Sequence, residues 1–313
     1  MSEPGIGIAR PTGGPERELA RRSATAPDWA RLFRPSNWVK NFFVLGPLFF
    51  SGRVFDTSAA SHAALAFLAF CLASSGVYAL NDVADEEADR IHPIKRLRPV
   101  AAGLISKRDA VAAGLFLVLA GALIGVLAGL RVAFFVALYV VMNAAYTWRL
   151  KRVVVLDVFA IAFFFVIRLL AGATAVQVKP SVWLLLCGGL LALYLGFTKR
   201  RHELVLLQDA STGHRTVLSQ YSPEFLDQAS MVLLSVTIIC YIMYTLESAT
   251  ASAVGDVLSY STLFVLYGVF RYLFLVHQRA GGSPTHTLLN DRQLLVVVAC
   301  WLAYCGLVLY RPN

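Results

Sequence analysis

Long apolar runs separated by short polar connectors dominate the chain. Runs of roughly 18 or more apolar residues read as membrane-crossing helices. They fall at about 42–57, 59–80, 110–129, 131–148, 153–176, 181–198, 228–249, 254–276 and 293–310, and the first is the weakest. Nine spans are therefore expected. A bilayer core offers no water to unpaired backbone, so the spans pack as an all-α helix bundle. Residues 1–30, rich in Gly, Pro, Arg and Ser and without a signal-type apolar segment, read as a disordered basic tail. Residues 31–313 read as one transmembrane domain. Between Asp28 and Lys40, Trp29, Phe33 and Trp38 sit among bases, which suits a helix lying in the headgroup layer.

Composition agrees, with 58% of residues hydrophobic and 15% charged. The net charge of +9 is not spread evenly. With the N-terminus inside, only Arg53, Arg131, Lys179 and Arg311 of the 28 Lys and Arg are counted outside, and Arg168, inside a span, is counted with neither side. Cytoplasmic loops are enriched in these residues, so the expected topology is N-in, C-out in a cell membrane. The excess charge follows one membrane face rather than forming a nucleic-acid patch, which removes nucleic acid as a partner. A polar ligand on that face is cytosolic and anionic. The long polar loops, 81–108, 199–227 and 277–292, all lie there. Cys71, Cys187, Cys240, Cys300 and Cys305 lie within spans with no C-x-x-C pair, and read as packing residues.

Three polar clusters carry candidate chemistry. In N-D-V-A-D-E-E-A-D, Asp82, Asp85 and Asp89 recur at i, i+3 and i+7, so one helical face would carry all three, with Asn81 at its margin. Like charges at that spacing repel unless a cation lies between them. Mg²⁺ held by one or two carboxylates and shared with substrate phosphate oxygens fits, and Glu86 and Glu87 fall off that face. H-P-I-K-R-L-R-P follows, a loop shaped by Pro93 and Pro99, in which Lys95 and Arg98 suit a diphosphate. The second cluster holds Tyr146, Arg149, Lys151 and Asp157, with Arg168 eleven residues further along nearly the same helical face. A charge inside a membrane normally faces a partner or cavity. The third, T-K-R-R-H-E, offers Lys199, Arg200 and Glu203 as another wall of an anion site. Leu206 stands where H-E-x-x-H needs its second His, so that zinc motif is absent.

These motifs together resemble the UbiA superfamily of intramembrane prenyltransferases. R-P-S-N-W-V-K-N, N-D-x-x-D-x-x-x-D-R-x-H-P-x-K-R-x-R-P-x-A-A-G, L-K-R-x-x-x-x-D-V, F-V-I-R-L-L-A-G and L-S-Q-Y-S-P-E-F-L look most like its decaprenyl-phosphate phosphoribosyltransferase branch, over roughly residues 31–292. The resemblance implies nine transmembrane helices around a central cavity with a cytoplasmic cap. It implies Mg²⁺-dependent transfer of phosphoribose from 5-phosphoribosyl 1-diphosphate (PRPP) to a polyprenyl phosphate, giving a precursor of the lipid-linked arabinose donor for cell-wall polysaccharide. In that reading Asp82, Asp85 and Asp157 are catalytic, and the metal sits on Asp82, Asp85 and Asp89. Lys40, Arg149, Lys151 and Arg168 draw the lipid phosphate. The three clusters are expected to line one cytoplasmic cavity, and homo-oligomerisation is left open. Gly281-Gly282-Ser283-Pro284-Thr285 departs from the branch's G-G-x-P-E. Two rivals remain: a prenyltransferase acting on an aromatic acceptor, which would usually carry a second multi-aspartate motif, and a lipid transporter or flippase.

Overall fold

The computed structural model describes residues 24–208, 218–247, 252, 254–278 and 290–311, and among these there is no strand. The helices are α1 (Ala26–Phe33), α2 (Gly46–Phe50), α3 (Thr57–Ala84), α4 (Glu86–Ile91), α5 (Lys107–Ala128), α6 (Leu130–Trp148), α7 (Leu156–Ala175), α8 (Val182–Gln208), α9 (Pro223–Glu247), α10 (Thr262–Gln278) and α11 (Arg292–Leu309). Among the described residues eight spans are long and apolar enough to cross a membrane: α3, α5 to α9, α10 together with the 3₁₀ turn Gly255–Ser261 before it, and α11. Phe116, Leu119, Leu123 and Leu127 of α5 are exposed, as a lipid-facing stripe requires.

The ninth expected span, 42–57, is not a long helix. A 3₁₀ helix covers Pro35–Val44, the five-residue α2 follows, and Gly52 turns the chain at φ 72°. The pair Gly46-Pro47 and the turn at Ser51-Gly52 interrupt the helical ladder that apolar content alone suggested. The interfacial helix expected over 28–40 is shorter as well. It ends at Phe33 because Arg34 is left-handed (φ 52°) before Pro35, where the proline ring disfavours helical backbone. Of the tail expected over 1–30, residues 1–23 lie outside the described residues, and Ala26–Ala30 already belong to α1, which a Thr25–Asp28 capping box starts.

The chain divides into two compact units. The first comprises residues up to Ser36 and Ser75–Val118; the second comprises Asn37–Ser74 and Leu119 onward. In the first, Leu32 of α1 packs with Ala79, Val100, Ile105 and Ala110. There Gly76 brings α3 so close to α5 that a Cβ would lie 2.5 Å from the Gly114 carbonyl oxygen. Such contacts of small residues hold membrane helices together where lipid is as apolar as the side chains. In the second unit, Val158, Ala162, Ala192, Leu193, Phe197 and Leu226 join α7, α8 and α9. Cys71, Cys187, Cys240 and Cys305 are buried thiols, while Cys300 is exposed, and all are free.

Candidate active site

In the first unit the helix expected to carry three aspartates on one face breaks at Asp85, where α3 gives way to α4. Asp82, Glu86 and Asp89 are buried; Asp85 and Asn81 are half-buried. Arg98 binds two of these acids at once, its Nη1 lying 2.6 Å from Asp89 Oδ2 and 3.2 Å from Asp82 Oδ1. Arg34, whose guanidinium stands 5.1 Å from the centre of the Tyr78 ring, also donates to Asp82 Oδ1. Glu86 pairs instead with Arg90 at 2.6 Å and with Lys107. His92 Nδ1 accepts from the backbone N–H of Ile94 and Lys95, shaping the turn that carries half-buried Lys95. Arg31 donates to the Leu97 carbonyl at 2.7 Å and fixes the same loop.

Burial of several acids is tolerable only where bases or hydrogen bonds answer them. Two carboxylate oxygens have no hydrogen-bond donor among the described residues: Glu86 Oε2, which lies against the Lys107 ammonium, and Asp82 Oδ2, on a residue only 2% exposed, whose two arginines are directed at Oδ1. Among those residues no three His, Cys, Asp or Glu side chains gather around one point. Among them a protein-only metal cage is thus missing. A cation shared with phosphate oxygens needs only one or two carboxylates, and the bare Asp82 oxygen supplies one. Asp89, spent on Arg98, is not offered in the same way.

In the second unit Asp157 is 1% exposed, and both its oxygens are engaged. Arg200 Nε donates to Oδ2 at 2.7 Å and Tyr221 Oη to Oδ1 at 2.8 Å. Arg200 also reaches Glu203 (2.6 Å) and Tyr146 Oη (3.4 Å), so this buried guanidinium lies between two carboxylates and a phenol. Burial, then the bond to Asp157, push the Tyr221 phenol well above its usual range. The T-K-R-R-H-E cluster, expected on a loop, lies in the last turns of α8. Its Lys199 is exposed and stands 3.9 Å from Glu203, while Arg201 pairs with Asp227 of α9. Arg149 is exposed and Lys151 half-buried around the 3₁₀ turn Leu150–Arg152.

Arg168 does not join Asp157. It is 3% exposed and donates to Asn41 Oδ1 (2.8 Å), the Phe164 carbonyl (2.8 Å) and Tyr139 Oη (3.3 Å). The rings of Tyr139, Phe165 and Phe70 surround its guanidinium at 4.7–5.9 Å. Among the described residues it has no carboxylate partner. Asn41 in turn bonds Cys71 and Ser74, so Arg168 secures the 3₁₀ segment that carries half-buried Lys40. Arg34, Asn41, Tyr139 and Tyr221 were not singled out from sequence. Arg34, Asn41 and Tyr221 lie in or beside R-P-S-N-W-V-K-N and L-S-Q-Y-S-P-E-F-L, the signal by which they could have been found; Tyr139 sits in an apolar run with none.

Eight apolar helices with buried arginine–carboxylate clusters define a multi-pass membrane protein built to handle charge. Residues 42–294 match the model of the UbiA prenyltransferase family. The chain is 30% identical over 313 residues to a protein of Mycolicibacterium smegmatis named decaprenyl-phosphate phosphoribosyltransferase, covering 96% of each. It is 28% identical over 285 residues to a Corynebacterium glutamicum protein of the same name, covering 90% of this chain and 86% of that one. Its fold is similar to a UbiA homolog from Archaeoglobus fulgidus solved with GPP and Mg²⁺, at TM-score 0.68 and 19% identity over 90% of this chain and 99% of that one. The chain belongs to the UbiA prenyltransferase family, and it is a membrane transferase of that family.

Proposed function

We propose that the protein transfers 5-phosphoribose from PRPP to a polyprenyl phosphate on the cytoplasmic side of the cell membrane. The acceptor's phosphate oxygen bonds to C1 of the ribose as the C1–diphosphate bond breaks, giving a polyprenyl-phosphoryl-5-phosphoribose and diphosphate. The names of relatives aligned over nearly the whole chain support this reading. The observation that carries it is the bare, buried Oδ2 of Asp82 beside Arg34 and Arg98.

Asp82, with Asp85, would hold a divalent cation such as Mg²⁺ against the donor's diphosphate. When bound, such an ion neutralises the charge that develops on the leaving group. Arg34 and Arg98 fix the Asp82 carboxylate so that its second oxygen stays available. Arg98 also takes Asp89, and Lys95 of the following loop and Asn81 at the end of α3 complete the donor site. In the second unit Asp157 orients Arg200, while Lys40, Arg149, Lys151 and Lys199 supply the charge that draws the acceptor phosphate. Arg168 serves by holding the Lys40 segment. A phosphate monoester is mostly dianionic at neutral pH, its second pKa being about 6, so the attack needs no general base.

Purified protein in detergent, given PRPP, Mg²⁺ and a polyprenyl phosphate, should release diphosphate only when both substrates are present. Release instead from a polyprenyl diphosphate with an aromatic acid would overturn the proposal.

A further inference from the structure

The backbone just before Asp157 is strained. Val155 has φ 68° and ψ −46°, and Leu156 N donates to the Val154 carbonyl at 2.7 Å. Together these make a γ-turn of the rare, strained hand. A β-branched residue with positive φ is an outlier that persists only where its surroundings impose it. No backbone carbonyl among the described residues accepts from Val155 N–H. It donates instead to Tyr221 Oη at 2.6 Å. The same hydroxyl donates to Asp157 Oδ1 at 2.8 Å. One phenol, brought in by the turn ahead of α9, therefore holds both the strained residue and the carboxylate two positions on.

We infer that Tyr221 is a positioning residue: its hydroxyl latches the Val155 γ-turn and so fixes the Asp157 carboxylate that orients Arg200. Its bearing on turnover rests on the proposed phosphoribosyl transfer; the latch itself does not. The ring is seated independently of the hydroxyl, stacked on Phe225 at 6.0 Å and edge-on to Phe197 at 6.4 Å. Tyr221→Phe therefore deletes the two hydrogen bonds and keeps the packing. A glycine at 155 tolerates φ 68° without strain, so it should hold the turn with no latch.

Two measurements test this. In hydrogen exchange the Val155 amide of the unaltered protein should be protected, although no carbonyl accepts it, and Tyr221→Phe should speed its exchange by about tenfold or more. This arm uses no substrate, so it judges the latch even if no diphosphate is released. In the second arm, Tyr221→Phe should lower kcat by about 10–100-fold, the scale of leaving buried polar groups unpaired, with the KM for PRPP little changed. In a Val155→Gly background the same substitution still unpairs Asp157 Oδ1 but no longer releases a strained turn, so its cost in kcat should be at least about threefold smaller. Fast exchange of Val155 in the unaltered protein, or equal losses of kcat in the two backgrounds, overturns the inference.

Discussion

Asp82 and Glu86 lie one helical turn apart and are equally buried, yet their surroundings give them different tasks. Both Glu86 oxygens face a base, Oε1 Arg90 and Oε2 Lys107, whereas Asp82 Oδ2 has no hydrogen-bond donor among the described residues and the two arginines are directed at Oδ1. Asp82→Asn retains the shape and removes the charge that a phosphate-bound cation would need, so the rate of diphosphate release should fall about 10²–10³-fold with the fold intact. Glu86→Gln leaves two bases facing a neutral amide. Because both bases are more than half exposed, the cost should be about 1 kcal/mol, seen as a Tm lower by a few degrees. Its effect on rate should stay under about tenfold. Turnover and thermal unfolding of the two variants separate the roles, and equal rate losses would contradict them. The acidic run announced itself in the sequence because its spacing is regular. The pairing did not, since it depends on Arg34, forty-eight residues away.

Between α7 and the 3₁₀ segment Pro35–Val44 there is no room for a methyl group. A Cβ on Gly172 would lie 1.9 Å from the Val44 carbonyl oxygen, which is backbone and cannot swing aside. Gly172→Ala should therefore destabilise the protein by about 1–3 kcal/mol, roughly 3–10 °C in Tm, and raise the KM for the lipid acceptor by moving Lys40. Gly189→Ala, whose Cβ meets only the Val166 Cγ2 at 3.3 Å, is the control and should be tolerated. A Tm drop of the same size in both would show that the segment is not pinned there. The long helices were legible because an apolar run of that length has one solution in a bilayer. The stretch 42–57 misled because hydropathy does not register chain direction. Gly46-Pro47 and Ser51-Gly52 did register it, and they outweighed the apolar runs 42–45 and 48–50 that flank them.

For the molecule as a whole, the distribution of Lys and Arg predicts an orientation, and α7 offers a ruler to test it. Arg152 and Lys179, both exposed, flank its two ends. Cysteine at 152 should react with an impermeant thiol reagent from the cytoplasmic side and cysteine at 179 from the opposite side; the reverse pattern would invert the topology. The departure at Gly281–Thr285 falls outside the described residues. Family and fold were readable from motifs spread along the chain, whereas the tasks of Asp157 and Arg168 were not. Both were identified as charges in an apolar run, but spacing cannot tell a charge offered to a substrate from one consumed by Tyr221, Arg200 or Asn41. Arg168 has a last consequence, for the order of synthesis. Every group that satisfies it, namely Asn41, Phe70, Tyr139, Phe164 and Phe165, precedes it in the chain. Chains are made from the N-terminus and fold as they emerge. A nascent chain that has just completed α7 thus already holds the cage for this buried guanidinium, and the charge can be sheltered before α8 to α11 exist.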